Sequence, residues 1–291
     1  MLCFLVLIPM ALGATTAHFT PPTAKWVWRT VWGPFLTVLL FLFMALLLHL
    51  EGLICVLIIS PLFLVTACVG ASLYIRFTEN RPDRNKTYTF AAFALLPFLM
   101  APVESQFATP DDLRRVENTI VIAAPIDVVW QNIIRVPPIR ATDLGSSLID
   151  NIGFPRPVEA TLTHEGISGV RHATFERGVE FIETVDVWEP QRRLSFSIVP
   201  NTATIPPTTF DEHVTVGGRF FDVLRGTYEL EAAGTGRTRL ILYSQQRLST
   251  RLNPYAGLWT DYVMSEIQRR ILEVIQRRCE TGGNTTVVNN H

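Results

Sequence analysis

Apolar positions follow three different patterns along this chain. From Val31 to Leu50 ("VWGPFLTVLLFLFMALLLHL") they run almost unbroken. About 20 such residues suffice for an α-helix to cross a ~30 Å hydrocarbon core. Gly52–Ile75 is a second such run, interrupted by Pro61. The "HLEG" between the two is a tight turn, so they form a helical hairpin. Leu2–Ala17 is a shorter apolar run, and Phe90–Val103 is shorter still, about 21 Å as a helix. Two readings stay open for each of these. Leu2–Ala17 is an anchor span or a signal segment ending at "ATTA", although no Lys or Arg precedes it as a signal requires. Phe90–Val103 is a tilted span extended through Tyr88 or a re-entrant segment. Residues 105–116 form a polar linker with Pro110.

After the linker the pattern turns amphipathic. Val116, Asn118, Ile120 and Ile122 alternate with Glu117, Thr119 and Val121, which predicts a strand. "AAP" then opens a short helix, with Pro125 at its first turn and Asp127 near the positive end of the helix dipole. Its stripe is Val128, Val129, Ile133 and Ile134, and "VPPI" stops it. Residues 141–152 predict a second short helix. Past Pro157 the period becomes 2. Strands are expected at Val158–His164, Gly169–Glu176, Val179–Glu189, Arg192–Val199, Phe220–Ala232 and Arg237–Ser249, separated by "EGISG", "RG", "EPQ" and "AAGTG". Short links imply antiparallel pairing. Asn253–Arg278 closes the chain as one long helix, with Asn253 as N-cap, Pro254 at N1, and an apolar face of Leu258, Tyr262, Ile267, Ile271, Val274 and Ile275. Residues 280–291 are expected to be a disordered tail. The fold class is α+β, a curved antiparallel sheet gripping a long C-terminal helix, behind N-terminal transmembrane helices in residues 1–104.

The strand–"IAAPIDVVW"–helix opening, the "GVRHATFERG" and "FIETVDVWEPQRRLSFSI" strands and the long last helix together resemble the START/Bet v 1-like superfamily, which includes polyketide cyclase/dehydrase-like and lipid-transfer proteins. The resemblance covers residues 117–279 and leaves the first hundred outside. It implies a helix-grip fold with a cavity for an apolar ligand between sheet and helix. It does not imply one function, because the group holds binders, transfer proteins and a minority of enzymes.

Charge divides the chain at the same place as hydropathy. The protein has 291 residues, 48% of them hydrophobic, and a net charge of −1. Residues 1–104 hold six Lys or Arg and four Asp or Glu, against 19 and 22 in the remainder. The near-neutral total gives no electrostatic basis for binding nucleic acid. Asp, Glu, Lys and Arg are missing from the interiors of the apolar runs, which favours an anchor over an ion or proton pathway. Lys25 and Arg29 precede the hairpin, and Arg76, Arg81, Arg84 and Lys86 follow it. The positive-inside rule makes that side cytoplasmic. The side of the soluble part then depends on whether Phe90–Val103 crosses. Trp26, Trp28 and Trp32 suit an interfacial belt. The expected location is the plasma (inner) membrane, and the expected partners are the bilayer and an apolar small molecule. A protein partner is not legible. The four cysteines form no CxxC and are expected to be free thiols.

Candidate chemistry lies on the strands. In Val179–Glu189, Val179, Phe181, Glu183, Val185 and Val187 share a face, so Glu183 is a lone carboxylate among apolar residues. Burial there would favour its neutral form and suit acid–base work or a ligand hydroxyl. The plain alternative is a pairing with Arg171 or His172 on a neighbouring strand. Phe196 shares a face with Leu194 and Ile198. Tyr228 shares one with Phe220, Asp222, Leu224, Gly226 and Leu230, and offers a hydroxyl. Tyr255, Trp259 and Tyr262 occupy the first turns of the closing helix, near the expected cavity mouth. "DEH" (Asp211, Glu212, His213) lies in the longest connection of the sheet. Extended backbone puts Asp211 and His213 on one side and Glu212 on the other.

No metal cluster, Gly-x-Ser-x-Gly elbow or phosphate loop occurs, so no metal or cofactor is expected. Three functions follow. The first is a membrane-tethered domain that binds an apolar or amphipathic, lipid-like molecule through Phe181, Glu183, Phe196, Asp211, His213, Tyr228, Tyr255, Trp259 and Tyr262. The second is a regulatory or interaction domain without a small ligand. The third is a cyclase- or dehydratase-like enzyme using Glu183 and His213 as an acid–base pair.

Overall fold

The computed structural model describes residues 2–50, 52–79, 82–140, 143–145, 147–201 and 216–285. The chain divides into two compact units, Met1–Pro110 with Thr250–Leu252, and Asp111–Ser249 with Asn253–His291.

The first unit is helical. A π-helical turn, Cys3–Leu7, leads into α1 (Ile8–Phe19), and a second, Trp28–Trp32, leads into α2 (Gly33–Leu47). Then come α3 (Leu53–Thr78), uninterrupted across Pro61, and α4 (Asp83–Ser105). Trp28–Leu47, Leu53–Thr78 and Asn85–Ser105 are long and apolar enough to cross a membrane. The apolar run at Phe90–Val103 is therefore part of a longer helix, 23 residues without a break at Pro97 or Pro102, or about 34 Å.

Small residues let α1 and α3 meet backbone to backbone. A Cβ on Gly13 would lie 1.9 Å from the Ala67 carbonyl oxygen, and one on Gly70 would lie 2.1 Å from that of Met10. Ala14, Ala17 and Ala71 are buried beside them. Such close approach brings the two backbones into van der Waals contact along the seam. The "ATTA" of the cleavage-site reading thus supplies packing positions in this structure. Two polar contacts tie the helices further, one between α4 and the first turn and one between α1 and α3. The Glu104 carboxylate accepts from the Leu2 and Cys3 N–H groups at 2.6 and 2.9 Å, and His18 Nδ1 lies 2.6 Å from the Tyr74 hydroxyl. The first of these satisfies donors that a helix start leaves unpaired.

The second unit is a seven-stranded sheet of order β1-β7-β6-β5-β4-β3-β2, antiparallel throughout. The strands are β1 (Asp112–Ile122), β2 (Pro157–Leu162), β3 (Val170–Phe175), β4 (Glu180–Glu189), β5 (Arg193–Pro200), β6 (Phe221–Ala232) and β7 (Thr238–Leu248). β1 starts inside the stretch read as linker because Asp112–Arg115 pair with Gln245–Leu248. Between β1 and β2 lie α5 (Ile126–Ile134) and the single turn α6 (Leu148–Asn151). Pro125 is the extended N-cap of α5, and Trp130 joins its buried stripe. α7 (Asn253–Thr285) is the closing helix and continues into the first residues of the expected tail.

The main core gathers Ile122, Trp130 and Ile133 with Leu194, Leu240, Leu272 and Ile275, so one face of the sheet is closed by α5 and α7. A smaller cluster of Val136, Ala160 and Ala173, with Phe175 and Phe181 against it, covers the β2–β4 end.

Candidate functional site

Glu183 sits directly opposite Arg171 in the β3–β4 ladder and opposite Ile198 in the β4–β5 ladder. Facing residues of a ladder project to the same side. Arg171 Nη1 donates to Glu183 Oε2 in a buried ion pair. Along β4, Glu183 separates Phe181, which packs in the smaller cluster, from Val185, which packs in the main core. The pair is thus held among apolar neighbours. His172 points to the other face and pairs with Glu180 at 2.8 Å. Of the two partners open to Glu183, the structure uses Arg171.

Two rings complete the cluster. The Arg171 guanidinium lies 5.3 Å from the Phe196 ring centre and 6.0 Å from that of Tyr228. Phe196 reaches this place because Gly226 stands opposite it on β6, where a Cβ would come within 2.6 Å of the Phe196 ring. Arg171, Glu183 and Tyr228 are 4%, 7% and 2% exposed, too little for solvent to stabilise their charges. Burial pushes the Glu183 carboxyl pKa up, opposed by Arg171. Burial works against the Arg171 charge, but Glu183 and Tyr228 more than offset it, so the guanidinium holds its proton tightly. Burial also raises the Tyr228 hydroxyl pKa. Arg171 Nε is buried with no acceptor among the described residues. An Arg presents its N–H donors in a fixed fork, and this one is left to satisfy.

No family model and no curated protein matches the sequence. Among solved structures, the chain is similar to DynU16, a putative protein of the dynemicin biosynthetic locus (20% identity, 60% of this chain and 49% of that one, TM-score 0.36). It thus spans about half of DynU16. It is also similar to norcoclaurine synthase from Thalictrum flavum (11%, 64% and 99%, TM-score 0.36) and to the Zhui aromatase/cyclase from Streptomyces sp. R1128 (18%, 57% and 95%, TM-score 0.35). These neighbours are Bet v 1-like folds. The likeness is distant, and the architecture above stands on its own strands and helices.

The remaining candidates are dispersed. Asp211 and His213, with the rest of "DEH", lie outside the described residues, as does any meeting of His213 with Glu183. Tyr255 and Trp259 are half-buried, and Tyr262 is 40% exposed. The apolar face expected of α7 is corrected in its first half, where Leu258 is 69% exposed, and holds in its second, where Val274 and Ile275 are buried and Ile271 packs on the main core. The face that meets the sheet carries polar groups in its first half. Arg114 donates to both oxygens of Asp261, Gln246 donates to Asp261 at 3.0 Å, and Gln268 donates to Ser244 Oγ at 2.9 Å and accepts from Asn118 at 2.9 Å. Gly257 allows this, since a Cβ there would lie 2.6 Å from the Arg114 guanidinium carbon. Leu272, Ile275 and Cys279 take over as apolar contacts further along.

Two bulges correct the faces expected of β4 and β6. Register shifts between Val185 and Val187, so Trp188 turns inward to meet Trp130, ring centres 5.3 Å apart. A second shift between Val223 and Arg225 buries Val223 and leaves Leu224 exposed. A bulge adds one residue to one strand and reverses alternation beyond it. Asp186 and Leu224 are ordinary strand residues, so the sequence carried no sign of either.

Proposed function

We propose that the second unit is a binding domain for an apolar or amphipathic small molecule and that the apolar helices of the first unit tether it to a membrane. The observation that carries this reading is the buried Arg171–Glu183 pair, with Tyr228 and Phe196 beside it and one guanidinium N–H unspent. A buried ion pair is poor evidence of stability, since apolar residues of similar volume do as well. A buried donor without an acceptor costs about 1–3 kcal/mol. Both features make sense if a ligand's oxygen takes the Arg171 Nε–H while its apolar body lies along the inner face. Perturbed ionisable groups gather at functional sites for this kind of reason. The engagement of Glu183 by Arg171 argues against its service as a free general base, so binding ranks above catalysis.

Tethering is supported by three helices of spanning length and by Trp26, Trp28 and Trp32, all exposed just before α2. If α4 crosses as a third span, the domain lies opposite the cationic end of the α2–α3 hairpin.

The test uses the full chain in detergent. Its unfolding temperature is measured with dodecanoate, dodecanol and dodecane in turn. The reading predicts an upward shift with dodecanoate or dodecanol and a smaller one with dodecane. Three null results, or the largest shift with dodecane, would sink it.

A further inference from the structure

The turn Trp28–Trp32 with the first residues of α2, and the second half of α3, border a groove of about 530 Å³, within the ~300–1,000 Å³ of small-molecule sites. Val31 and Phe35 form one wall, Leu64 and Val69 the other, and Trp26 and Arg76 stand at one end. Two hydroxyls that could make it polar are spent on their own helices. Thr30 Oγ1 donates to the Trp26 carbonyl at 2.9 Å and Ser72 Oγ to the Cys68 carbonyl at 2.8 Å. The lining is therefore apolar along its length and cationic at its mouth.

Its length selects an occupant. Leu64 and Arg76 are twelve residues apart on α3, about 18 Å of helix. Half of a ~30 Å hydrocarbon core is about 15 Å. The groove thus runs from one interface to the bilayer middle, the reach of one lipid leaflet. Its mouth lies at the end that also carries Lys25 and Arg29, and among the described residues no carboxylate pairs with Arg76, Lys25 or Arg29. A lipid phosphate supplies the missing charge, and Arg binds phosphate in fork geometry.

We propose that this groove holds one acyl chain of an anionic phospholipid, with the lipid phosphate at Arg76. The proposal rests on the membrane reading of the first unit and is independent of the ligand of the second.

The test is native mass spectrometry of the full chain, released from detergent after titration with equimolar dioleoyl phosphatidylglycerol and dioleoyl phosphatidylcholine. The wild type is expected to carry the anionic lipid in about fivefold preference, the effect of one basic residue at a lipid surface. Arg76→Gln should bring the two lipids to parity. Val69→Trp, which fills the groove from a lipid-facing position, should reduce both adducts. Equal adducts on the wild type, a preference that survives Arg76→Gln, or a lipid-free dimer with the groove closed by a second copy would each overturn the proposal. Extraction of the chain from vesicles by alkaline carbonate separates the two levels. Release overturns the membrane reading and the lipid site together, whereas retention with equal adducts overturns the lipid site alone.

Discussion

Arg171 carries its charge at a position where both flanking clusters are apolar. Removing one partner of a buried pair leaves the other charge uncompensated, at about 3–5 kcal/mol, while replacing both with apolar residues is often neutral. Glu183→Leu should therefore lower urea stability by about that amount. The double change Arg171→Met with Glu183→Leu should recover most of the loss. A double variant as unstable as the single one would mean that the pair holds the fold rather than a ligand. Gly226→Ala tests the neighbouring ring contact. Phe196 is 3% exposed and cannot swing away from a new methyl, so overpacking should cost about 1–3 kcal/mol. Glu183 and Arg171 were legible because alternation holds on β3 and on the first half of β4. Trp188 was not, because the bulge that turns it inward leaves no mark in the residue pattern.

Among the elements, α7 shows how partial a helical periodicity can be. Its apolar positions marked the helix correctly, but the face that packs on β1 and β7 begins with Gly257, Asp261 and Gln268, which look like solvent-side residues in sequence. The other side of α7 is fixed by Arg270, which donates to both Asp150 oxygens at 2.6 and 2.9 Å and to the Gly145 carbonyl at 2.6 Å. Burial works to raise the Asp150 pKa, but hydrogen bonds and charge from Arg270, with Arg156 behind it, bring it below the usual carboxylate value. A depressed folded pKa gives stability that is present above the unfolded value, roughly 3.9, and is lost as pH falls through the folded value. Urea midpoints between pH 3 and 7 should accordingly fall in acid more steeply for the wild type than for Asp150→Asn. Parallel curves would refute the ion pair. In the helical unit, the α1–α3 seam predicts that Gly70→Leu separates the two helices. Cysteine cross-linking between α1 and α3 should then fail, and unchanged cross-linking would contradict the backbone contact. The long apolar helices were legible from hydropathy, but this seam was hidden because Gly13, Ala14 and Ala17 read equally well as a cleavage region.

For the molecule as a whole, the partition was the most legible feature. Hydropathy and charge change together near residue 110, where the two units divide. The seven strands and their antiparallel pairing followed from period-2 runs and short turns. That β1 and β7 would be neighbours did not, since no local pattern records which ends of a sheet meet. Buried chemistry was legible one side chain at a time and not as a cluster, because Arg171, Glu183, Phe196 and Tyr228 come from four strands. The central claim is that these four side chains hold the polar end of an apolar ligand. Native mass spectrometry of the gently purified full chain, wild type against the Arg171→Met, Glu183→Leu double variant, tests it most directly. A small-molecule adduct on the wild type that is absent from the folded double variant is the predicted result. The same adduct on both, or none on the wild type, would contradict it.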